Sequence, residues 1–324
     1  MKLAVIGATG MVGSTIIQIL EERNFKADGF VFYASPRSAG KTLKFNGENH
    51  TIQALDDNII NAGLDMALFA AGGEISAKYA PLLVEKGVVV IDNSSKFRMN
   101  TDVPLVVPEV NAGDAKLHKG IIANPNCSTI QALVALAPLH KAFGLKRVIY
   151  STYQAVSGAG QNGWQDLEEG LKGAPHKYFA QPIACNVIPQ IDVFSDDDYT
   201  GEELKMMRET QKILGLPSLG VTATCVRVPV FNGHSVSINA EFENKIDIAE
   251  VVQILKAAAG IVVKDDAQNN VYPMPICADG KDDVYVGRIR RDASVENGLN
   301  MWVVADNLRK GAATNAVQIA ELFI

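Results

Sequence analysis

The chain has 324 residues, of which 48% are hydrophobic and 20% are charged, and its formal net charge at pH 7 is −6. This length and composition predict a globular protein of two domains, each with its own core. Lysine and arginine are scattered rather than clustered, so no nucleic-acid partner and no membrane surface is expected.

The chain opens with a pattern typical of a nucleotide-binding βαβ unit. A short apolar strand is predicted over residues 3–6, followed by Gly7-Ala-Thr-Gly10-Met-Val-Gly13 and by a helix through residues 16–23. Glycines at such a turn permit a tight bend, close approach of a pyrophosphate and close packing of helix on strand. Because strand, glycine loop and helix occur in this order, the segment predicts dinucleotide binding.

The end of the second predicted strand bears on which dinucleotide is bound. Residues 29–34 are apolar and lead into Ser35, Arg37 and Ser38, with no acid at this point. An NAD site usually places an Asp or Glu there for the ribose 2′-hydroxyl, whereas a 2′-phosphate needs Arg and small hydroxyls. NADP is therefore favoured, and the alternative is a solvated basic loop.

Strand and helix continue to alternate as far as residue 123. Strands are predicted over residues 64–71 and 88–92, with a helix over 76–86 between them, and strand and loop elements recur over 106–111 and 120–123. Their continuous apolar runs are typical of parallel strands buried on both faces. Arg98 lies just after the strand at 88–92, close to the edge of the sheet where such folds bind ligands.

The most informative stretch is Asn124-Pro-Asn-Cys127-Ser-Thr, which precedes an apolar, helix-forming run from Ile130. Cys127 is therefore predicted at or near a helix N-terminus. Unpaired backbone N–H groups there favour the thiolate and could hold an oxyanion that forms on an attacked carbonyl. The alternative is a small buried core cysteine, which the polar neighbours disfavour.

The other cysteines, Cys185, Cys225 and Cys277, lie far apart and form no CxxC pair. This spacing argues against a zinc site and against a disulfide framework, and it suits a reducing compartment. The apolar N-terminal stretch is too short for a signal peptide, and no run approaches the length of a membrane span. A soluble, cytoplasmic protein without a metal is expected.

From residue 147 the pattern changes to alternating, β-branched strands of a more antiparallel sheet. Strands are predicted over 148–156, 221–230, 234–242 and 299–306, and helices over 202–214, 247–259 and 311–323. The strands at 221–230 and 234–242 are expected to be joined across Phe231-Asn-Gly233. The glycine-punctuated segment 157–175 is expected to be a cofactor-side loop or a contact with a second subunit, and residues 287–290 a surface or intersubunit strand.

Arg227 and His234 lie at the two ends of that connection, which could bring both toward one cleft. A histidine near Cys127 could remove the thiol proton or shuttle a proton to a carbonyl oxygen. An arginine beside it could bind a carboxylate through two hydrogen bonds. The alternative for a lone histidine is a structural role.

With these motifs in place, the chain resembles the bacterial aspartate-β-semialdehyde dehydrogenases along nearly its whole length. The matching segments are Gly7-Ala-Thr-Gly10-Met-Val-Gly13, Asn93-Ser-Ser-Lys-Phe-Arg98, Pro125-Asn-Cys127-Ser-Thr, Gln154 with Ser157-Gly158, Glu202-Glu-Leu-Lys205 leading to Glu209-Thr-Gln-Lys, and Arg227-Val-Pro-Val with Gly233-His234. The cysteine motif and the Arg–His pair are specific in combination, whereas the glycine loop alone is not.

The resemblance implies an α/β protein with a Rossmann-type nucleotide-binding domain and an α+β catalytic and dimerisation domain. The sheet of the second domain would be mixed and largely antiparallel. The NADP-binding domain would comprise residues 1–127 and 307–324, and the catalytic domain residues 128–306. A homodimer or homotetramer is expected.

The resemblance also implies a role for each matching residue. The catalytic residues would be Cys127 as nucleophile, His234 as acid–base and Gln154 as the orienting amide. The substrate-binding residues would be Arg227 on the α-carboxylate, Arg98 and Lys205 on phosphate, and Glu202 near the amino group or holding Lys205. The cofactor-binding residues would be Gly7, Thr9, Gly10, Met11, Val12, Ser35, Arg37, Ser38, Ser157, Gly158 and Asn307. An ordinary solvated ion pair is the alternative for Glu202 and Lys205.

The implied reaction is reduction of L-aspartyl-4-phosphate by NADPH to L-aspartate-4-semialdehyde and phosphate, through a thioester on Cys127. It belongs to the biosynthesis of diaminopimelate and of the aspartate-derived amino acids lysine, threonine and methionine. Three alternatives stay open: an N-acetyl-γ-glutamyl-phosphate reductase, a glyceraldehyde-3-phosphate-type dehydrogenase, and a non-catalytic NADP-binding relative. A free amino group on the substrate favours an acid such as Glu202, and Ser35-Pro-Arg37 disfavours the glyceraldehyde-3-phosphate type.

Overall fold

The structure, a computed structural model, describes all residues of the chain from Met1 to Ile324. The strands in chain order are β1 (Lys2–Ile6), β2 (Gly29–Ala34), β3 (Thr42–Phe45), β4 (Glu48–Thr51), β5 (Gln53–Ala54), β6 (Met66–Phe69), β7 (Val89–Asp92), β8 (Ile121–Ala123), β9 (Leu145–Gln154), β10 (Gly220–Arg227), β11 (His234–Phe242), β12 (Ile261–Val263), β13 (Val284–Asp292) and β14 (Gly298–Ala305). The α-helices are α1 (Met11–Glu22), α2 (Gly73–Val84), α3 (Pro108–Asn111), α4 (Cys127–Phe143), α5 (Gly160–Leu171), α6 (Gly201–Leu214), α7 (Ile248–Ala257), α8 (Pro275–Ala278) and α9 (Thr314–Glu321).

The chain divides into two compact units, Met1–Pro125 with Ala312–Ile324, and Asn126–Gly311. Residues 126–127 and 307–311, which the sequence reading placed with the nucleotide-binding domain, belong to the second unit. The reason is local: Cys127 begins α4, which packs on β9, β11 and β14, and residues 307–311 follow β14.

The first unit is built on a parallel sheet of six strands in the order β5-β2-β1-β6-β7-β8. Residues 3–6 of β1 are fully buried in its middle, which explains a run that is apolar without alternation. The helices α1 and α9 share one hydrophobic core with this sheet, through residues that include Ile16 and Val317. The Rossmann-type fold that the sequence predicts is confirmed.

The second unit is built on a mixed sheet in the order β10-β9-β11-β14-β13-β12. The outer pairs β10–β9 and β12–β13 are parallel, and the three pairs between them are antiparallel. Arg227 at the end of β10 pairs with Gln154 at the end of β9, and Tyr153 pairs with Ser235, next to His234. The register therefore brings Arg227, Gln154 and His234 to one edge of the sheet, where β10 and β9 end and the antiparallel β11 begins.

The chain passes from β10 to β11 across Phe231-Asn-Gly233, as the sequence predicts. In the sheet these two strands are not paired, because β9 lies between them. Two other local predictions are wrong. The segment at 157–175 is mostly helical, since α5 occupies Gly160–Leu171 and buries Gly163, Asp166 and Leu167. The stretch at 106–111 contains the short helix α3, which begins with a proline, a residue well suited to a first helical turn.

The strand β13 accounts for residues 287–290, which had been expected as a surface or intersubunit strand. It lies in the sheet between β14 and β12, where Val284 and Val286 are fully buried, but Arg288 and Arg290 are exposed, so residues 287–290 reach the surface. The apolar helix α4 is also an internal element, buried over most of its length. No helix of the structure is both long and apolar enough to cross a bilayer.

Candidate active site

Cys127 is the first residue of α4, as the sequence predicts, and Asn126 caps the helix. The backbone of Asn126 is extended, with φ −62° and ψ 143°. Its Oδ1 accepts hydrogen bonds from the N–H groups of Ser128, at 3.0 Å, and Thr129, at 3.2 Å. This arrangement satisfies two of the amides that a helix leaves unpaired at its start, and it fixes the first turn under the thiol.

His234 begins β11 and is fully buried. Its Nδ1 accepts a hydrogen bond of 3.0 Å from the N–H of Ala155, so the neutral ring carries its proton on Nε2. Burial, and secondly the charge of Arg227, lowers the pKa of His234 well below its ordinary value. The Nε2–H is buried and has no partner in the chain, which leaves a neutral donor for a bound ligand.

Arg227 ends β10, and only 4% of its surface is exposed. Its Nη1 donates to the carbonyl oxygen of Ala155 at 2.7 Å, and its Cζ lies 5.9 Å from the centre of the Phe179 ring. The Nε–H is buried without a partner. A buried guanidinium with an unused donor suits a carboxylate ligand.

Gly158 packs against both of these side chains. A Cβ at this position would lie 2.9 Å from Nη1 of Arg227 and 3.1 Å from Nε2 of His234. Any larger residue would press on the two groups, so the backbone of the segment after β9 forms part of their wall.

Glu202 joins the remaining polar groups. Its Oε1 accepts from Nε2 of Gln154 at 2.9 Å and from Nδ2 of Asn126 at 2.8 Å, and its Oε2 lies 3.3 Å from Nζ of Lys205. Burial alone would raise the pKa of Glu202, but the Lys205 ammonium and the two amide donors hold it below its ordinary value. The carboxylate is therefore a buried charge that orients Gln154 and the residue before Cys127.

Two residues of this network escaped sequence analysis. Asp192, in the loop before α6, accepts from Nζ of Lys205 at 2.7 Å and has a left-handed φ of 75°. Gln131 is buried one turn after Cys127, and its Nε2 donates to the carbonyl oxygens of His234, at 3.1 Å, and Val303, at 3.3 Å. A single polar side chain in an apolar helix was a usable signal for Gln131, whereas nothing in its local sequence marked Asp192.

Ser157 and Asn307, predicted as cofactor ligands, contact each other in the second unit. Nδ2 of Asn307 lies 3.0 Å from Oγ of Ser157, and Oδ1 of Asn307 accepts from the N–H of Gly233 at 2.9 Å. Asn307 thus ties the segment after β9 to the residue that precedes His234.

The glycine loop of the first unit closely matches what a pyrophosphate requires. Gly7 has a φ of 90°, and a Cβ there would lie 2.5 Å from the carbonyl oxygen of Ala70. Gly10 caps α1 without any side-chain hydrogen bond, and the half-buried Met11 and Val12 open the helix. A helix N-terminus whose cap has no side chain leaves room for an anion on its amides.

The turn after β2 lies beside this loop, since Oγ1 of Thr9 is 3.4 Å from Oγ of Ser38. Thr9, Ser35 and Arg37 are exposed, and Ser38 is half-buried. A hydroxyl of this turn therefore borders the glycine loop, and the exposed Arg37 belongs to the same turn, a combination that suits a phosphorylated ribose.

Arg98 belongs to the first unit and is largely buried. Its Nε donates to the carbonyl oxygen of Asn124 at 2.9 Å, and its Nη2 to that of Asn93 at 2.8 Å. These bonds fix the residues that directly follow β7 and β8. Of these, Asn124 lies two residues before Asn126 in the chain. In the whole chain, no group of three or more His, Cys, Asp or Glu side chains is arranged to hold a metal ion.

Comparison with known proteins adds two family matches. Residues 2–118 match the family model "Semialdehyde dehydrogenase, NAD binding domain", and residues 136–310 match "Semialdehyde dehydrogenase, dimerisation domain". Curated aspartate-semialdehyde dehydrogenases are similar over the full length. That of Aquifex aeolicus is 55% identical, with 100% of this chain and 98% of the relative covered. That of Bacillus subtilis is 48% identical, with 99% and 96% covered.

Solved structures agree. The crystal structure of aspartate semialdehyde dehydrogenase II complexed with ASA, from Vibrio cholerae, has a TM-score of 0.95 and 50% identity, covering 99% of this chain and 97% of that one. The aspartate semialdehyde dehydrogenase with NADP from Candida albicans has a TM-score of 0.76 and 28% identity, covering 99% and 98%.

Proposed function

Because the chain belongs to the aspartate-semialdehyde dehydrogenase family, we propose that it converts L-aspartyl-4-phosphate to L-aspartate-4-semialdehyde and phosphate with NADPH as reductant. The observation that carries the proposal is the buried set around the start of α4. Asn126, which precedes Cys127, shares the carboxylate of Glu202 with Gln154, at the same sheet edge as Arg227 and His234. The reaction serves the biosynthesis of diaminopimelate and of lysine, threonine and methionine.

Cys127 acts as the nucleophile. Its thiolate attacks the acyl carbon of the substrate, the bond from that carbon to the phosphate oxygen breaks, and phosphate leaves with the bonding electrons. The product of this step is a thioester on Cys127. The positive end of the α4 helix dipole favours both the thiolate and negative charge on the attacked oxygen.

The nicotinamide dinucleotide supplies the hydride equivalent when bound. His234 donates a hydrogen bond from its Nε2–H to the oxygen of the thiohemiacetal on Cys127, and the negative charge on that oxygen passes to sulfur as the thiohemiacetal collapses to thiolate and aldehyde. A neutral imidazole with its proton on Nε2, held by the bond from Ala155 to Nδ1, is in the protonation state for this donation.

The substrate is held by charges of both signs. Arg227 binds the α-carboxylate through its unpartnered Nε–H, and Lys205 and Arg98 bind phosphate. Glu202 serves the substrate's amino group, directly or by holding Lys205. Its lowered pKa supports this role, since a permanently charged acid suits a free ammonium better than an acetamide.

NADP is the proposed cofactor because the residues that border the glycine loop fit a 2′-phosphate. Gly7, Thr9, Gly10, Met11 and Val12 would hold the pyrophosphate, and Ser35, Arg37 and Ser38 the phosphorylated ribose. Ser157, Gly158 and Asn307 would border the nicotinamide end.

A homodimer is proposed through the open face of the second sheet. On this face Tyr153 of β9 lies beside Trp302 of β14, with ring centres 5.2 Å apart, and Tyr153 is exposed. Both strands belong to the segment that matches the dimerisation-domain family. A partner on this face would cover aromatic surface that one chain leaves in solvent.

The test is phosphate-dependent reduction of NADP⁺ with L-aspartate-β-semialdehyde. N-acetylglutamate-γ-semialdehyde, NAD⁺ and the Cys127→Ser variant are run in parallel. Turnover on the first aldehyde with NADP⁺, abolished in the variant, supports the proposal. Turnover on the acetylated aldehyde alone would refute it, as would binding of NADP⁺ without turnover of either aldehyde.

A further inference from the structure

The helix α6 carries two Glu-x-x-Lys pairs seven residues apart, Glu202 with Lys205 and Glu209 with Lys212. Seven residues are close to two helical turns, so both pairs lie on one face of the helix. The first pair belongs to the site described above. The second pair has no role there, although only 1% of Glu209 is exposed.

Glu209 is aimed at the residue before the nucleophile. Its Oε2 accepts a hydrogen bond of 2.6 Å from the backbone N–H of Asn126. Glu202, seven residues earlier on the same face of the helix, accepts from the side-chain amide of Asn126 at 2.8 Å. Two buried carboxylates from one helix therefore hold Asn126, one by its backbone and one by its side chain.

Asn126 sets where Cys127 lies, because its extended backbone and its Oδ1 define the first turn of α4. The N–H of a capping residue lies outside the helix, so it needs an acceptor from elsewhere. A buried, charged acceptor makes a short and strong bond. Rotation of this peptide would move the cap and the thiol together.

We propose that Glu209 is a positioning residue for Cys127, which it fixes in the attacking geometry through the backbone N–H of Asn126. The proposal rests on the nucleophilic role proposed for Cys127. Glu209 acts on Cys127 through Asn126 and does not contact the substrate. Its removal should therefore affect the chemical step and not substrate binding.

A purely structural role is the competing explanation, and the same helix offers a matched control. Glu203 is also a buried acid that accepts from backbone N–H groups, those of Thr200 at 2.7 Å and Cys225 at 2.9 Å. It holds the start of α6 and the strand β10, but it does not contact the segment before Cys127. Loss of Glu203 therefore reports what loss of a buried backbone anchor does to stability alone.

The experiment compares Glu209→Met, which keeps length but removes the acceptor, with Glu209→Gln, which keeps a carbonyl oxygen at the same reach. The same two substitutions are made at Glu203. We expect Glu209→Met to lower kcat about 100-fold while KM for the aldehyde stays within about twofold, because a small misplacement of a nucleophile costs about that much. Glu209→Gln should stay within about fivefold of the parent in kcat.

The second readout needs no substrate: the rate of alkylation of Cys127 by iodoacetamide, followed by mass spectrometry of its peptide. We expect it to be about tenfold slower in Glu209→Met than in Glu209→Gln, because the first turn no longer favours the thiolate. Both variants lack the negative charge of Glu209. The difference between their alkylation rates therefore measures the effect of the hydrogen-bond acceptor alone.

Three results would overturn the proposal: equal kcat in Glu209→Met and Glu209→Gln, equal alkylation in the two, or the same kcat loss in Glu203→Met at a matched urea midpoint. If Glu209→Met does not fold, Glu209→Asp takes its place, since it withdraws the acceptor by one methylene. An aspartate variant more active than the glutamine variant would then refute the role. Failure of the proposed function would look different, because the parent would show no turnover while the alkylation contrast persisted.

Discussion

The two units present their candidate functional groups by different means. In the first unit the groups suited to the cofactor are backbone amides and exposed side chains, such as Arg37 and Thr9. In the second unit the groups suited to chemistry are side chains buried in one network, with His234 and Arg227 almost without exposure. A buried polar network couples function to stability, whereas an exposed loop does not. Substitutions should therefore divide into those that only weaken binding and those that stop the reaction.

The largest effect is expected at Cys127. Cys127→Ser should lower turnover of L-aspartate-β-semialdehyde by about 10³-fold or more, because the proposed thioester forms on this thiol. NADP⁺ binding, which we propose for the other unit, should be unchanged by fluorescence titration. Cys185→Ser is the control, since that thiol is exposed and outside the network; loss of activity there would contradict the assignment of the nucleophile.

The next effect is expected at His234. His234→Asn keeps an oxygen near the position of Nδ1, able to accept from Ala155, but it removes Nε2, so kcat should fall about 10²-fold to 10³-fold. His140→Asn is closely matched, because Nδ1 of His140 also accepts a backbone N–H, that of Leu145, at 3.0 Å. Steady-state kinetics should show a loss only for the first variant. Equal losses would mean that His234 acts as a structural anchor.

A graded effect is expected in the first unit. Arg37→Ala should reduce the preference for NADP⁺ over NAD⁺ by about 10-fold to 100-fold, the worth of one charge-assisted hydrogen-bonded contact. The urea midpoint should not move, because the side chain is exposed. Lys41→Ala, in the same loop, is the control. A lowered kcat with NADP⁺ at saturation would break the contrast between the two units.

The smallest effect is a pH dependence of stability. Above about pH 6.5, the ordinary histidine pKa, His234 is neutral in both the folded and the unfolded chain. Below it the unfolded chain binds a proton that the buried ring, with its lowered pKa, does not, so the free energy of unfolding falls with pH. At about pH 5.5 this loss is about 1.4 kcal/mol.

Urea unfolding of the parent and of His234→Asn, at about pH 7.5 and about pH 5.5, isolates this contribution. Other groups titrate equally in the two proteins, so the stability of the parent relative to the variant should decrease by about 1.4 kcal/mol at the lower pH. Parallel curves would show that His234 is not held neutral.

Much of this site could be predicted from the local sequence. The glycine loop and the start of α4 depend on neighbouring residues, so Gly7 and Cys127 were predictable in place and in context. Strand order was not, because the insertion of β9 between β10 and β11 is a long-range pairing that no turn between Arg227 and His234 encodes. Asp192 could not be predicted for the same reason, because only the folded chain brings it into contact with Lys205.

The first unit takes residues from both ends of the chain. Arg23 at the end of α1 binds Glu321 of α9, 298 residues later, and Asn315 donates to Asn124 at 2.7 Å. The second unit lies wholly between these segments. During translation the ribosome therefore releases every residue of the unit that holds Cys127 before it releases those that complete the cofactor-binding core. The unit that begins second along the chain is thus the first to be complete.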